Sequence, residues 1–265
     1  MFRHAGEPGL WIAGPDNGLP LVLVHGVRLS AHMWSPVAAR LAETYRITAC
    51  DLPGHGALAG RPFTVEGAVR QVTSAVDEAV RATGRKPVVA GTSLGGLATL
   101  AYGAGRHGGA AGLFAHGATL RTDGPLLGPH RCAAQLMRWL GARRSQRVHS
   151  RLLRGSLPDE SYRAVMSGGL SPHGFTQAMA AISRQDMLSV VSGITTPLIL
   201  ANGLGDPLFR VQERQFLHSA RRSGAPVRLV HVPGPHLLSL TDPMVFARVL
   251  ERACEELLSM AGSRG

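Results

Sequence analysis

The stretch VVAGTSLGG, residues 88–96, places a serine between glycines directly after a short apolar run. The apolar run predicts a buried strand, and the small residues from Leu94 onward predict a helix that packs closely on a sheet. A serine at such a strand-to-helix turn is held in strained backbone geometry, with its hydroxyl exposed at the helix N-terminus. The alternative for Ser93 is an ordinary glycine-rich turn, and the order of elements along the chain decides between the two.

Length and composition indicate a folded globular protein with one core. The chain has 265 residues, of which 45% are hydrophobic, and this length is long for one domain and short for two. Residues 1–18 lack the basic run and apolar stretch of a signal peptide, and no window approaches the ~20 apolar residues of a membrane span. We therefore expect a cytoplasmic protein that does not bind a membrane.

The cysteines and the charges disfavour several classes of site. Cys50, Cys132 and Cys254 are odd in number and far apart, which argues against a disulfide framework and against a cysteine-rich metal site. The net charge of +11 comes almost entirely from arginine, with Lys86 as the only lysine. The arginines are scattered, do not alternate with aromatic residues and form no recognisable nucleic-acid-binding motif, so we expect no nucleic-acid partner.

Short apolar runs closed by Gly, Asn, Pro or Asp recur along the chain and predict strands. They are residues 21–24, 46–50, 87–90, 111–115, 197–201 and 227–232, with 9–13 as an antiparallel edge strand. Mostly continuous apolar strands indicate a sheet buried on both faces. Helical segments alternate with them at 34–43, 64–83, 94–103, 212–223 and 243–260. The alternation predicts the α/β class, with a doubly wound, mostly parallel central sheet and sites at the carboxyl ends of its strands.

Residues 121–189 interrupt this alternation. They contain only amphipathic helical segments, separated by GPLLGP, GSLPDE and GGLSPHG. A long strandless insertion between two strands indicates a helical cap over the strand ends. We therefore predict a core of residues 1–120 and 190–265, and a cap of residues 121–189 that forms the wall of the substrate pocket.

A serine hydroxyl is a poor nucleophile until a base takes its proton, so Ser93 needs a histidine and a carboxylate to orient that histidine. Asp206 lies in the loop after the strand at 197–201, and His236 lies in the loop after the strand at 227–232. Both loops leave the carboxyl edge of the sheet, where Ser93 also lies. The order serine, acid, histidine is the order that this architecture uses.

Other residues compete with these assignments. Asp123 is the main rival acid, because it follows the strand at 111–115. His231 lies within the last predicted strand, where we expect a packed or hydrogen-bonded role. Three further histidines fall on helical or exposed stretches: His107, His149 and His218.

Two backbone N–H groups normally bind the oxyanion that forms during acyl transfer. Leu94, immediately after the serine, is expected to supply one donor. The loop after the first central strand, in VLVHGVRLSAHMW, offers the N–H of Val27 as the other. His25 is then expected to brace that loop, and Asp51 to stabilise the turn in CDLPGHG rather than to act in catalysis.

Five motifs occur in order along the chain: HGVRLSAHMW, DLPGHG, GTSLGG, GDP and GPHLLSLTDP. Together they resemble the α/β-hydrolase superfamily over essentially the whole chain outside the predicted cap. The resemblance implies the α/β-hydrolase fold, a catalytic triad of Ser93, Asp206 and His236, and an oxyanion hole formed by Val27 and Leu94.

Two positions depart from the family pattern. Pro235 stands where a glycine usually precedes the histidine, and ALAG follows the GHG turn where the family usually has a serine. Pro235 fixes the backbone before His236 and therefore puts the position of that ring in question. An aspartate nucleophile, as in the related dehalogenases and epoxide hydrolases, is excluded because the turn holds Ser93.

The resemblance implies a serine hydrolase that cleaves a small or medium carboxylic ester or lactone through an acyl-enzyme, without a metal or organic cofactor. An alternative is a thioesterase acting on carrier-bound or CoA thioesters. Residues 121–189 contain 10 Arg against 4 Asp and Glu, and such a surface suits an acidic acyl carrier protein. The fold also serves lyases, cyclases, C–C hydrolases, perhydrolases and ligand receptors. The oligomeric state is left open.

Overall fold

The computed structural model describes residues 2–105, 108–122, 124–128, 132–133, 135–136, 139 and 141–262. The strands are β1 Arg3–His4, β2 Leu10–Ala13, β3 Leu19–Val24, β4 Tyr45–Cys50, β5 Val88–Thr92, β6 Gly112–His116, β7 Leu198–Gly203 and β8 Val227–Val232. The α-helices include α1 Ser35–Leu41, α2 Val65–Thr83, α3 Leu94–Ala104, α4 Ala142–Ser156, α5 Asp159–Gly168, α6 Pro172–Ile182, α7 Met187–Ser192, α8 Pro207–Arg210, α9 Glu213–Arg221, α10 Leu238–Thr241 and α11 Pro243–Gly262.

The eight strands form one sheet in the order β1-β2-β4-β3-β5-β6-β7-β8. All neighbouring strands within the group β3 to β8 pair in parallel. At the other end of the sheet, β2 pairs antiparallel with β4, and β1 pairs antiparallel with β2. The chain moves outward from β3 to β4 and then crosses to β5 on the other side. This reversal opens a crevice at the carboxyl ends of β3 and β5, where sites form in doubly wound sheets.

Successive residues of the central strand β3 enter different cores. Val22 and Val24 pack in the apolar cluster on one face of the sheet, whereas Leu21 and Leu23 pack in the cluster on the other face. All four side chains are fully buried. Each face is covered by helices, so the strand needs apolar residues at every position, which explains the continuous apolar run in the sequence.

Cap residues define the ends of the long helix α2. The Thr64 hydroxyl accepts a hydrogen bond from the backbone N–H of Gly67 at 2.9 Å, which satisfies a donor in the first turn. The helix ends at Gly84, which adopts φ +67°, a conformation that glycine enters without a steric penalty.

The predicted α/β class and the doubly wound, mostly parallel sheet are confirmed, since each predicted central strand overlaps one of β3 to β8. The predicted antiparallel strand at 9–13 corresponds to β2, but the edge of the sheet is the two-residue β1, which the sequence did not predict. Between β6 and β7 the described residues contain helices and no strand. Among the described residues, no helix has both the length and the apolar character needed to cross a membrane.

Candidate active site

Ser93 lies at the turn between β5 and α3 with φ 53° and ψ −117°. This conformation is strained for a residue with a side chain. Its backbone N–H donates to the carbonyl of His116 at 2.8 Å, which fixes the turn against β6. The turn is therefore the strained strand-to-helix junction that the sequence predicts, and not a relaxed glycine-rich loop.

Two glycines beside Ser93 make the tight turn possible. A Cβ atom on Gly91 would lie 2.2 Å from the carbonyl oxygen of Gly95. A Cβ atom on Gly95 would lie 2.2 Å from the carbonyl oxygen of Val24, at the end of β3. Because both contacts are with backbone atoms, a side chain at either position would push α3 away from the sheet.

Asp206 and His236 meet in the loops after β7 and β8. Nδ1 of His236 lies 2.6 Å from a carboxylate oxygen of Asp206, and Asp206 is buried. An ionised carboxylate only accepts hydrogen bonds, so the imidazole proton lies on Nδ1 and Nε2 is left as the basic nitrogen. The ring of Phe209 stacks on that of His236 at a centroid distance of 4.4 Å. Pro235 is compatible with this pairing.

A glycine and a second histidine lie behind the His236 ring. Gly117 has φ +57°, and a Cβ atom there would lie 2.7 Å from Cε1 of His236. His116 is fully buried and stacks on His236 at 6.4 Å, while its Nδ1 lies 3.1 Å from the Thr92 hydroxyl. Burial, assisted by the nearby His236, lowers the pKa of His116 to about 3, so its ring is neutral at neutral pH.

Ser93 and His236 line one cavity of about 290 Å³. Val27 and Leu94, the two residues expected to bind an oxyanion, line the same cavity. Leu94 is the first residue of α3, and N–H groups in the first turn of a helix have no acceptor within the helix. The helices between β6 and β7 also contribute to the lining of this cavity, through His149, Leu153, Phe175, Met179 and Ile182.

His25 and Asp51 support the loops around the cavity. His25 donates from Nδ1 to the carbonyl of Gly26 at 2.8 Å and accepts at Nε2 from the N–H of Leu52 at 2.9 Å. Burial lowers the pKa of His25 and favours this neutral form. Asp51 accepts hydrogen bonds from the Trp11 indole and from the N–H groups of Ala31 and Ala57, at 2.9, 2.7 and 3.0 Å respectively. Both have the structural roles expected from the sequence.

The rival residues have other positions. Asp123 and His107 lie outside the described residues. Nε2 of His231 lies 2.8 Å from the carboxylate of Glu213, which agrees with the hydrogen-bonded role expected for it. His218 lies on α9, exposed. Cys50 and Cys254 are buried, whereas Cys132 is exposed.

Sequence reasoning missed three side chains of the cavity: Arg28, His149 and Phe209. Arg28 lies in the motif HGVRLSAHMW, directly after Val27. Its position next to an expected oxyanion-hole residue is the signal that could have identified it as a residue of the cavity. Phe209 follows Asp206 closely, in the short helix α8. His149 lies on a helix of the 121–189 segment, where no pattern in the sequence indicates which face points to the cavity.

A family model described as the alpha/beta hydrolase family matches residues 21–249. The chain therefore belongs to the alpha/beta hydrolase family, as its motifs, sheet order and serine turn already indicated.

Three relatives illustrate what the chain is similar to. The pimeloyl-[acyl-carrier protein] methyl ester esterase of Neisseria meningitidis serogroup C / serotype 2a is 37% identical over 94 residues, which are 35% of this chain and only 34% of that relative. The (E)-2-((N-methylformamido)methylene)succinate hydrolase of Acinetobacter baylyi is 25% identical over 250 residues, 86% of this chain and 87% of the relative. A solved thermophilic esterase from Thermogutta terrifontis has a TM-score of 0.70 at 18% identity, covering 94% of this chain and 93% of its own, and this likeness shows the fold.

Proposed function

We propose that this protein is a serine hydrolase that cleaves a carboxylic ester or lactone through an acyl-enzyme on Ser93. The observation that carries the proposal is the shared cavity: a serine in a strained turn and a histidine already hydrogen-bonded to a buried carboxylate line the same space. The coarser assignment, a hydrolase of the alpha/beta hydrolase family, is supported by the family match and by the esterase and hydrolase relatives.

In the proposed mechanism His236 takes the proton of the Ser93 hydroxyl as the oxygen attacks the substrate carbonyl. Asp206 holds the imidazole in the correct tautomer and stabilises the imidazolium. The N–H groups of Val27 and Leu94 bind the oxyanion, each contributing ~3 kcal/mol of barrier lowering. His236 then protonates the leaving group, and water activated by the same histidine releases the acid. This sequence of steps uses no metal ion or organic cofactor.

We also propose that residues 121–189 act as a cap on a core formed by residues 1–120 and 190–265. The cavity wall supports this division, because α4 and α6 contribute side chains to the lining of the cavity that Ser93 also lines. A cap of this kind sets the size and shape of the substrate, and the cavity volume of about 290 Å³ suits a small or medium molecule.

Covalent labelling tests the proposed nucleophile. A fluorophosphonate probe should attach to Ser93 in the folded protein, as located by mass spectrometry of peptides, and Ser93→Ala should lose both the label and ester hydrolysis. Esters and lactones of increasing size would then define the substrate. Labelling elsewhere, or full ester hydrolysis by Ser93→Ala, would rule out Ser93 as the nucleophile.

A thioesterase or esterase acting on a carrier-bound acyl chain is the second candidate, and the surface of α4 favours it. This helix exposes five arginines and carries no acidic residue: Arg143, Arg144, Arg147, Arg151 and Arg154. Val148 and Leu152 on the same helix are 51% and 64% exposed. A basic surface with exposed apolar side chains complements an acidic carrier protein. A relative named for an acyl-carrier-protein ester is consistent with this candidate.

Charge reversal on α4 separates the two candidates. In Arg147→Glu/Arg151→Glu the KM for an acyl group on its carrier protein should rise at least tenfold, while hydrolysis of the same acyl group as a small ester should change little. Arg214→Glu, on the exposed face of α9, is the matched control. An equal response of both substrates, or no response, would remove the carrier protein from the proposal.

A further inference from the structure

Arg28 brings a buried positive charge into a cavity whose other walls are mainly apolar. It directly follows Val27 in the loop after β3, is 9% exposed and lines the cavity with Ser93 and His236. Among the described residues that line this cavity there is no aspartate or glutamate. Burial lowers the pKa of Arg28 to about 10, so the guanidinium keeps its charge at neutral pH.

The backbone of Arg28 shares a positive φ with that of the serine. Among the non-glycine residues that the structure describes, only Arg28 and Ser93 have positive φ, at 68° and 53°. Glycine or asparagine adopts this conformation more easily than a long side chain does. An arginine at such a position indicates that its side chain is needed in the cavity, since the backbone alone would favour another residue.

Contacts with Phe175 and His149 help to hold the guanidinium in place. It lies over the ring of Phe175, 4.2 Å from the centroid, and Nη1 donates to Nδ1 of His149 at 2.8 Å. Because a guanidinium only donates, Nδ1 of His149 accepts and the ring proton lies on Nε2. Burial, followed by the charge of Arg28, lowers the pKa of His149 to about 4. The pair therefore offers one positive charge and one additional neutral N–H donor.

We propose that the substrate carries a carboxylate, and that this carboxylate binds at the Arg28–His149 pair while Ser93 attacks the ester bond elsewhere in the molecule. One cation matches the single negative charge of a carboxylate, whereas a phosphate ester carries nearly two. A guanidinium fork also fits the two oxygens of a carboxylate. The inference rests on the proposed function. It names the substrate class as a monoester of a dicarboxylic acid, which water converts to the diacid and an alcohol.

Paired substrates test this class directly. Monomethyl adipate and monomethyl suberate are compared with methyl hexanoate and methyl octanoate, in which a methyl group replaces the free carboxylate. The kcat/KM for methanol release should be at least tenfold higher for the acid member of the better pair. Equal or lower values for both acid members would overturn the proposal.

Variants then connect the preference to Arg28. Arg28→Gln should lower the ratio of kcat/KM between the acid and neutral members roughly 10- to 100-fold, the range expected for lost hydrogen bonds to a charged group. Arg28→Lys should retain part of the ratio. Arg163→Gln removes an exposed charge from the neighbouring helix α5 and should leave the ratio unchanged. A ratio that Arg28→Gln does not move would contradict the assignment.

Measurements of monoester binding distinguish the proposed carboxylate site from the proposed ester hydrolysis. Calorimetry on Ser93→Ala should detect monomethyl adipate or suberate, and adding Arg28→Gln should weaken that binding. If the protein hydrolyses no ester but binds the anion through Arg28, the proposed function fails and the carboxylate site stands. If it hydrolyses neutral esters and Ser93→Ala binds neither monoester, the proposed function stands and the carboxylate site fails.

Discussion

Asp206 acts, in the proposed mechanism, only through the tautomer and charge of His236. An amide in its place can donate to Nδ1 and so favour the wrong tautomer, with little change in shape. We expect Asp206→Asn to lower kcat by about 10⁴-fold while the melting temperature changes little. Asp123→Asn, at the rival acid of the sequence, is the matched control and should keep most of the activity. The opposite pattern, with the large loss in Asp123→Asn, would move the acid to the loop after β6.

Gly117 has a specific effect on the position of His236. In Gly117→Ala the new methyl group would lie 2.7 Å from the imidazole, so the ring has to move away from Asp206. Gly141 has φ +74°, but among the described residues other than its chain neighbours no atom lies within 4 Å of the position that a methyl group would take, so we expect Gly141→Ala to carry the backbone strain alone. Both variants should lose about 1 kcal/mol or more of unfolding free energy. Only Gly117→Ala should also lose kcat, by at least tenfold, and equal activities would show that the ring tolerates the shift.

The helix α3 packs close to the sheet because Gly91 and Gly95 have no side chains at the contact. Gly95→Ala would place a methyl group 2.2 Å from the carbonyl oxygen of Val24, and backbone atoms of a central strand cannot yield easily. We expect a loss of about 2 to 4 kcal/mol in unfolding free energy, measured by urea denaturation. Gly155→Ala on α4 is the control and should be neutral or slightly stabilising, because no described atom outside its own helix backbone and chain neighbours lies within 4 Å of the new methyl group. A stable Gly95→Ala protein would mean that the helix can move without cost.

Most strands that the sequence identified are buried on both faces of the sheet. β3 to β7 are buried along nearly their whole length and are largely apolar, because helices cover both faces, and such runs are visible without a structure, whereas β8 is only partly buried. β1 consists of two exposed polar residues, Arg3–His4, and its pairing with β2 is a backbone interaction that leaves no pattern in the side chains. The sequence predicts the first helix from residue 34, but the chain enters it through the 3₁₀ turn Ala31–Trp34, whose hydrogen bonds the sequence does not reveal.

The whole molecule explains which site residues could be predicted. Ser93, Asp206 and His236 each follow a strand of one parallel sheet, so the positions of the strands are enough to suggest that they converge. Arg28 and His149, which are 121 positions apart in the sequence, come together because α4 and the loop after β3 line the same cavity. No period or motif encodes the docking of that helix, since it depends on packing between residues 121–189 and the rest of the chain. The residues of the proposed triad could therefore be predicted from the sequence, whereas the proposed carboxylate site could not.

Buried neutral histidines make the stability of the whole molecule sensitive to acid. Burial lowers the pKa of His55 and of His116 to about 3, against about 6.5 in an unfolded chain. Between these values the unfolded state binds more protons than the folded state, so the free energy of unfolding falls as the pH falls from about 6.5 toward 3. His55 donates from Nδ1 to the carbonyl of Pro53 at 2.9 Å, a bond that an asparagine can replace. In His55→Asn, urea denaturation at several pH values should give a slope smaller by up to about 1.4 kcal/mol per pH unit, and a slope equal to that of the wild type would show that His55 becomes protonated without unfolding.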